Sequence, residues 1–261
     1  QVKSSILLAG LNAEGKTQVQ EKYPTRDHTE RMMKTFEANI SFSKGIVEIE
    51  KSDLKTPGQI EVPGDFSSAA FFIGACLISE NSEIKIKNVG INNTRKAFLD
   101  CLLDMNANID LANIRQLGNE EVADLVIKSS DLLPAKIMED IVPNLIDELP
   151  LFFLIASMIE GESEFNGLSE LKHKESDRLS IMINNLQKLD VEVQLNEDSL
   201  KIIGKKDRTF SDEVFDSHGD HRIAMTMLVA GLRSTEGLTI TNVECINTVS
   251  YTHLRAHETL T

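Results

Sequence analysis

The 261-residue chain has no tryptophan, only two tyrosines and three cysteines. It has no apolar run close to the ~20 residues that span a bilayer. The longest run, residues 149–159, reads as a buried helix, so no membrane partner is expected. Positive charge is scarce: 27 Lys and Arg stand against 41 Asp and Glu, for a net charge of −14. Backbone binding needs a basic footprint, which argues against nucleic acid as a partner. The acidic surface also repels small anions at long range, so any anion site must be a local basic pocket. Cys76, Cys101 and Cys245 lie far apart, with no CxxC and no Cys/His ligand spacing. They read as three buried thiols in a reducing compartment, which places the chain in the cytoplasm. No signal-peptide region precedes "QVKSSILLAGL", and without an initiator Met the chain reads as cut. The remaining composition, 41% hydrophobic and 26% charged, is that of a soluble globular protein.

Four segments share one design: an apolar helix, a short polar turn, then an alternating strand. They are "VKSSILLAGLNAEGKTQVQ", "SSAAFFIGACLISENSEIKIK", "ELPLFFLIASMIEGESEFNG" and "HRIAMTMLVAGLRSTEGLTITN". A more polar helix follows three of them, and strand-like sequence follows that helix. The unit is therefore helix–strand–helix–strand–strand, with a period of roughly 65–80 residues, longer than the familiar solenoid repeats. Three such units closing around shared helices, with sheets outside, predict an α/β (α+β) fold. "KSDLKTPGQIEVPGD" (51–65) carries two prolines and two glycines between copies. A boundary is expected there, with residues 1–60 a partial lobe and 61–248 a near-complete one.

Candidate chemistry gathers at helix starts. In "HKESDRLSIMINNL" (173–186), Lys174, Glu175 and Arg178 are expected on the first turn of a helix that is buried soon after. Cations sit badly against the helix dipole there, but free N–H groups with Lys and Arg make an anion site. "SHGDHRIAM" (217–225) repeats the arrangement, with Asp220 as N-cap and His221 and Arg222 following. Taken alone, each reads as a solvated or capped turn; two in successive repeats suggest a convergent pocket. Asp147 and Glu148 precede the most apolar helix, as caps or as a general base facing cations. Arg26 precedes a helix that Thr25 or Asp27 can cap. His28 has no second ligand at a suitable spacing, so no metal is expected. "GDFSSAAFF" (64–72) reads as an N-cap with a tight turn, and no G-x-G-x-x-G or Walker-type loop occurs.

"QVKS", "RDHTERM", "VPGDFSSAAFF", "LIDELP", "KESDRL" and "DHRIAM", in that order, resemble the 5-enolpyruvylshikimate-3-phosphate synthases over residues 1–248. "QVK", "RDHTE" and "NNTR" (92–95) are similar to the less glyphosate-sensitive bacterial subclass. The resemblance implies a two-lobed enolpyruvyl transferase fold, each lobe three repeats around buried helices. It implies transfer of the enolpyruvyl group of phosphoenolpyruvate to shikimate 3-phosphate with release of phosphate, no metal or organic cofactor, and a monomer at full length. By the same resemblance, Glu175 carries the proton to and from the methylene carbon, and Asp147 orients or deprotonates the 5-hydroxyl. Arg178 and Arg222 would grip phosphoenolpyruvate and Lys174 would contact shikimate 3-phosphate, while Arg26 matches a residue near the shikimate phosphate and Gln1 a Gln at the substrate junction.

Two departures from the family pattern stand out. The family's amino-terminal portion is absent, and residues 249–261, "VSYTHLRAHETL" and a final Thr, do not continue the family pattern and read as a foreign end. Two rival readings follow: a non-catalytic fragment that binds a small anion, and an enolpyruvyl transferase acting on a UDP-amino sugar. The second commonly uses a loop cysteine, and none of the three here lies in such a polar loop.

Overall fold

The computed structural model describes residues 1–248 apart from Pro24 and Asp212. The foreign-end reading of 249–261 falls outside the described residues. The first unit runs α1 (Val2–Gly10), β1 (Lys16–Gln20), α2 (His28–Thr35), β2 (Ile40–Ser43) and β3 (Ile46–Glu50). The second runs α3 (Phe66–Ile78), β4 (Glu83–Gly90), α4 (Ala97–Asp104), β5 (Asn108–Leu117) and β6 (Glu120–Lys128). After β7 (Lys136–Ile137) and the short α5 (Val142–Leu145) comes the third: α6 (Leu149–Ser157), β8 (Gly161–Asn166), α7 (Arg178–Lys188), β9 (Glu192–Asn196) and β10 (Ser199–Gly204). The last, shorter unit is β11 (Val214–Asp216), α8 (His221–Gly231) and β12 (Thr239–Thr241).

The sheets repeat as the helices do. Their orders are β1-β3-β2, β4-β6-β5 and β7-β8-β10-β9, so in each unit the last strand lies between the first two. The pairings of that last strand are antiparallel, with Thr17 opposite Ile49, Ile84 opposite Ile127 and Leu200 opposite Phe165. β11 and β12 instead pair in parallel. Alternation turns Leu200 and Ile202 of β10 inward, which fixes the register against the helices beneath.

The helices form the interior. Every residue of α6 is buried, and α3, α6 and α8 pack on one another. Gly74 lets α3 approach α6 closely: a Cβ there would stand 2.9 Å from Leu151 Cδ1. Phe98, Phe152 and Phe165 pack edge to face, successive centroids 5.2 Å apart. This large core runs from Phe66 to Ile246. A separate small core gathers Leu7, Leu11, Met33, Val47 and Ile49. Between them, residues 51–63 contain no helix or strand and are mostly exposed. The architecture is the mixed α/β arrangement of buried helices and outer sheets.

The expectation of three buried thiols needs one correction. Cys76 and Cys101 are buried, and burial pushes the Cys101 thiol up to about 12. Cys245 is only half-buried, in the 3-10 turn after β12, where its thiol meets the Asn242 carbonyl. No helix of the described residues is long and apolar enough to cross a membrane.

Candidate functional site

The starts of four helices converge. Asp65 caps α3 by accepting the Ser68 N–H at 2.8 Å, and Asp220 caps α8 by accepting the Arg222 N–H at 2.8 Å. Asp177 caps α7 through the Ser180 N–H at 3.0 Å, and Glu148 stands at the N-cap position of α6 without a capping bond. Local capping thus fixes three of the four starts, and the side chains beside them meet one another.

Arg178 is the centre. It is 1% exposed, and its fork is fully engaged: Nε donates to Asp220 Oδ2 at 2.8 Å, Nη2 to Glu175 at 2.5 Å and Nη1 to Asp147 at 3.4 Å. Asp147 also takes Arg26 and has Arg95 at 3.7 Å. Burial alone would raise its pKa, but Arg222, Arg26 and Arg178 hold the carboxyl well below the ordinary range. Asp220, 0% exposed, is likewise held low: burial opposes ionisation, and the Arg178 hydrogen bond and charge outweigh it. Glu148 goes the other way. Burial pushes its carboxyl up more than Arg95, Ser67 and Arg222 pull it down. Ser67 donates to Glu148 and accepts from Arg95 at 2.5 Å. Arg222 lies 3.9 Å from Glu148, reaches the Ser67 carbonyl at 3.5 Å and buries its Nε without a hydrogen-bond partner among the described residues.

Asp147, Glu175, Arg26, Arg178 and Arg222 therefore share one site, although up to 196 positions separate them in the chain. Gln1 and Lys174 are not drawn in: among the described residues neither has a side-chain hydrogen bond or ion pair with the cluster. Gln1 is exposed at the N-cap of α1.

Three expectations are corrected. Lys174 and Glu175 do not lie on the first turn of α7. A 3-10 turn, Ser169–His173, ends before them and the helix starts at Arg178. Capping by Asp177, together with the Arg178 N–H bond to the Ser176 carbonyl, sets that boundary. Asp27 occupies its N-cap position but makes no capping bond, because its carboxylate is taken by Arg31 and Asn92. The pocket is also not simply basic. Each buried arginine keeps a carboxylate beside it, since an unpaired buried charge is costly.

Sequence reasoning missed Arg95, Ser67 and the second duty of Asp220. Arg95 closes "NNTR" and Ser67 follows the Asp65 cap, so both stood within quoted motifs. The available signal was polar or charged residues at, or just before, the starts of otherwise apolar helices.

A family model described as EPSP synthase (3-phosphoshikimate 1-carboxyvinyltransferase) matches residues 1–256. The chain belongs to the EPSP synthase family. Among curated relatives, 3-phosphoshikimate 1-carboxyvinyltransferase of Geotalea uraniireducens (strain Rf4) is 45% identical over 248 residues, covering 95% of this chain and 57% of the relative. The protein of the same name from Alkaliphilus metalliredigens (strain QYMF) is 43% identical, with the same coverage. The solved EPSP synthase of Acinetobacter baumannii superposes with a TM-score of 0.90 at 39% identity, over 98% of this chain and 59% of that one. The enolpyruvyl transferase NikO of Streptomyces tendae, at 17% identity and a TM-score of 0.76, shares the fold over 95% of this chain and 56% of its own. The chain thus spans little more than half the length of the curated relatives it matches.

Proposed function

We propose that this chain supplies one wall of a site that moves the enolpyruvyl group of phosphoenolpyruvate to the 5-hydroxyl of shikimate 3-phosphate, releasing phosphate. Residues 1–60 would belong to one lobe and 61–248 to the other. The observation that carries the reading is the meeting of Glu175 and Asp147 on the buried Arg178. Addition needs a proton for the methylene carbon as the hydroxyl oxygen bonds to the neighbouring carbon. Elimination needs that proton back as phosphate leaves. Glu175 is exposed, can serve both steps and is tethered to a guanidinium beside it.

Asp147, held toward its ionised form, would accept and orient the hydroxyl and take its proton as the oxygen bonds to carbon. Its basicity would rise when the substrate's phosphate and carboxylate draw the arginines away. Arg178 and Arg222 would hold phosphoenolpyruvate, and the buried Nε of Arg222 is a donor suited to an anion. Arg26, Lys174 and Gln1 would reach shikimate 3-phosphate.

The test is phosphate release from the two substrates by a protein of the relatives' full length that carries residues 1–248. Glu175→Gln should slow it about 10²–10⁴-fold, the usual worth of general acid–base catalysis. An unaffected rate would remove Glu175 from the role. The 261-residue chain alone should turn over little, because cleft closure excludes water and strengthens the ion pairs.

A further inference from the structure

The motifs "RDHTE" and "NNTR" meet across the gap between the two cores. Asn92 is 3% exposed, and its amide is used on both sides. Its Oδ1 accepts the Thr94 N–H at 2.9 Å and the Thr94 hydroxyl at 2.9 Å, which fixes which way the amide faces. Its Nδ2 then donates to Asp27 at 2.6 Å, on the small-core side, and to Glu120 at 3.0 Å, on the large-core side. Around this amide, Arg31 pairs with Asp27 at 2.9 Å and donates to the Asn119 carbonyl at 2.8 Å. His28 Nδ1 meets Glu120 at 2.7 Å, and Asn119 donates to Thr35 Oγ1 at 2.8 Å. The turn between β5 and β6 is thereby fastened to α2 by polar bonds.

We propose that Asn92, bridging Asp27 and Glu120, is a positioning residue that registers the two cores so that Arg26 and Arg95 reach Asp147 together. The chain makes the coupling direct. Arg26 is the residue before Asp27, and Arg95 follows Asn92 by three, its N–H bonded to the Asn92 carbonyl at 2.8 Å. Arg26 and Arg95 both approach Asp147 Oδ2, one from each side of the gap. Only an amide fills the Asn92 position. A carboxylate there would face two carboxylates with no proton to give, and an aliphatic group would remove from both the one donor they share, leaving Asp27 to Arg31 and Glu120 to His28. Asp27 is held ionised, burial opposing and the Arg31 and Asn92 bonds prevailing, so its need for a donor is permanent.

The inference uses Asp147 as the proposed function does, but its test needs no turnover. Spin labels at Ser41→Cys and Glu192→Cys, both exposed and one beside each core, report the inter-core distance in the 261-residue chain. Cys245 is replaced by Ser to prevent stray labelling. Side-chain ¹⁵N signals of Arg26 and Arg95 report their hold on Asp147. Asn92→Asp should broaden the distance distribution and shift both arginine signals toward free guanidinium. Adding Asp27→Asn, which returns an amide–carboxylate pair on one side while Glu120 still faces a carboxylate, should narrow the distribution and move the signals part of the way back. Glu120→Ala, at the first residue of β6 and outside either apolar core, should give the same broadening in weaker form, so a folding defect in the Asn92 variant leaves a second reading. Unchanged distances and arginine signals in Asn92→Asp, or in Glu120→Ala should Asn92→Asp not fold, overturn the proposal. So does broadening that Asp27→Asn fails to narrow. Failure of the chain to shift on adding phosphoenolpyruvate would count against the proposed function and leave this result standing.

Discussion

α1 and α6 hold the same place in their units, yet α1 leaves Val2 75% and Leu8 56% exposed while α6 buries every residue. The strand that follows each pairs antiparallel with the last strand of its unit. The difference lies in neighbours: α6 packs against α3, α7 and α8, whereas α1 packs on its own sheet, against β1 and β3. A repeat of this kind cannot enclose its apolar face alone, and stacking supplies the rest. The small core accordingly rests on five buried apolar side chains and one buried ion-pair group, Lys3 at 2.8 Å from Glu21 and 2.7 Å from Glu30. The large core adds a buried arginine network at the helix starts. In one region charge props up a thin core, and in the other a thick core holds charge in place.

The largest expected break lies in the large core. Arg178→Ala would leave Asp220, with no exposure, facing no guanidinium. Removing one partner of a buried pair costs about 3–5 kcal/mol. Urea denaturation followed by a large-core probe should lose that much, while a small-core probe should hardly change. Equal losses in both would show that the cores unfold as one.

Packing tolerance sharpens the same contrast. A Cβ on Gly204 would lie 2.1 Å from the Ile159 carbonyl oxygen and 2.2 Å from that of Ala156, both backbone atoms that cannot rotate away. Gly204→Ala should cost about 3 kcal/mol. On Gly10 the nearest atom is Ile49 Cγ2 at 2.7 Å, a side-chain methyl in the less confined core. Gly10→Ala should cost about 1 kcal/mol. Thermal melts of the two variants decide the order, and the reverse order would sink the idea that the small core yields more easily. Hydrogen exchange offers a gentler measure: amides of β3 should exchange before those of β10, because local opening is easier where less apolar area is buried.

Much of this was legible in the chain because period and punctuation survive in sequence. The apolar helices, their polar companions and the strands between them follow from spacing, and Asp65 and Asp220 announced their helices as caps. What was not legible depends on pairs far apart in the chain. Nothing local to Asp220 says that one oxygen caps α8 while the other takes Arg178 from 42 positions away. Nothing local to Lys174 and Glu175 says that Asp177 starts the helix and leaves them in the preceding loop. Nor does "NNTR" say that its Asn faces a carboxylate from beyond the 51–63 stretch. Helix starts are written nearby; which helix starts meet is decided by packing.

The smallest expected effect is one of pH: most buried carboxyls held low belong to the large core, Asp27 being a half-buried one beside the small core, and the buried lysine held high belongs to the small core. In the large core, Asp147, Asp220 and Asp65 have carboxyls held below their ordinary value. A lowered pKa adds stability that is present above the unfolded value, near 3.9, and is lost as pH falls through the folded one. In the small core, burial lowers the Lys3 pKa, but its hydrogen bonds to Glu21 and Glu30 raise it further, and the net shift is upward. That contribution is complete below the unfolded value, near 10.4, and is lost as pH rises through the folded one. Exchange protection of β10 amides should therefore weaken first on the acid side, and that of β3 amides first on the alkaline side, after correction for intrinsic exchange. Lys3→Gln should lower protection in β3 at neutral pH and flatten its alkaline limb, leaving the acid limb of β10 as it was. If the variant shifts both limbs together, the two cores share one unfolding unit and their separate charge arrangements do not act independently.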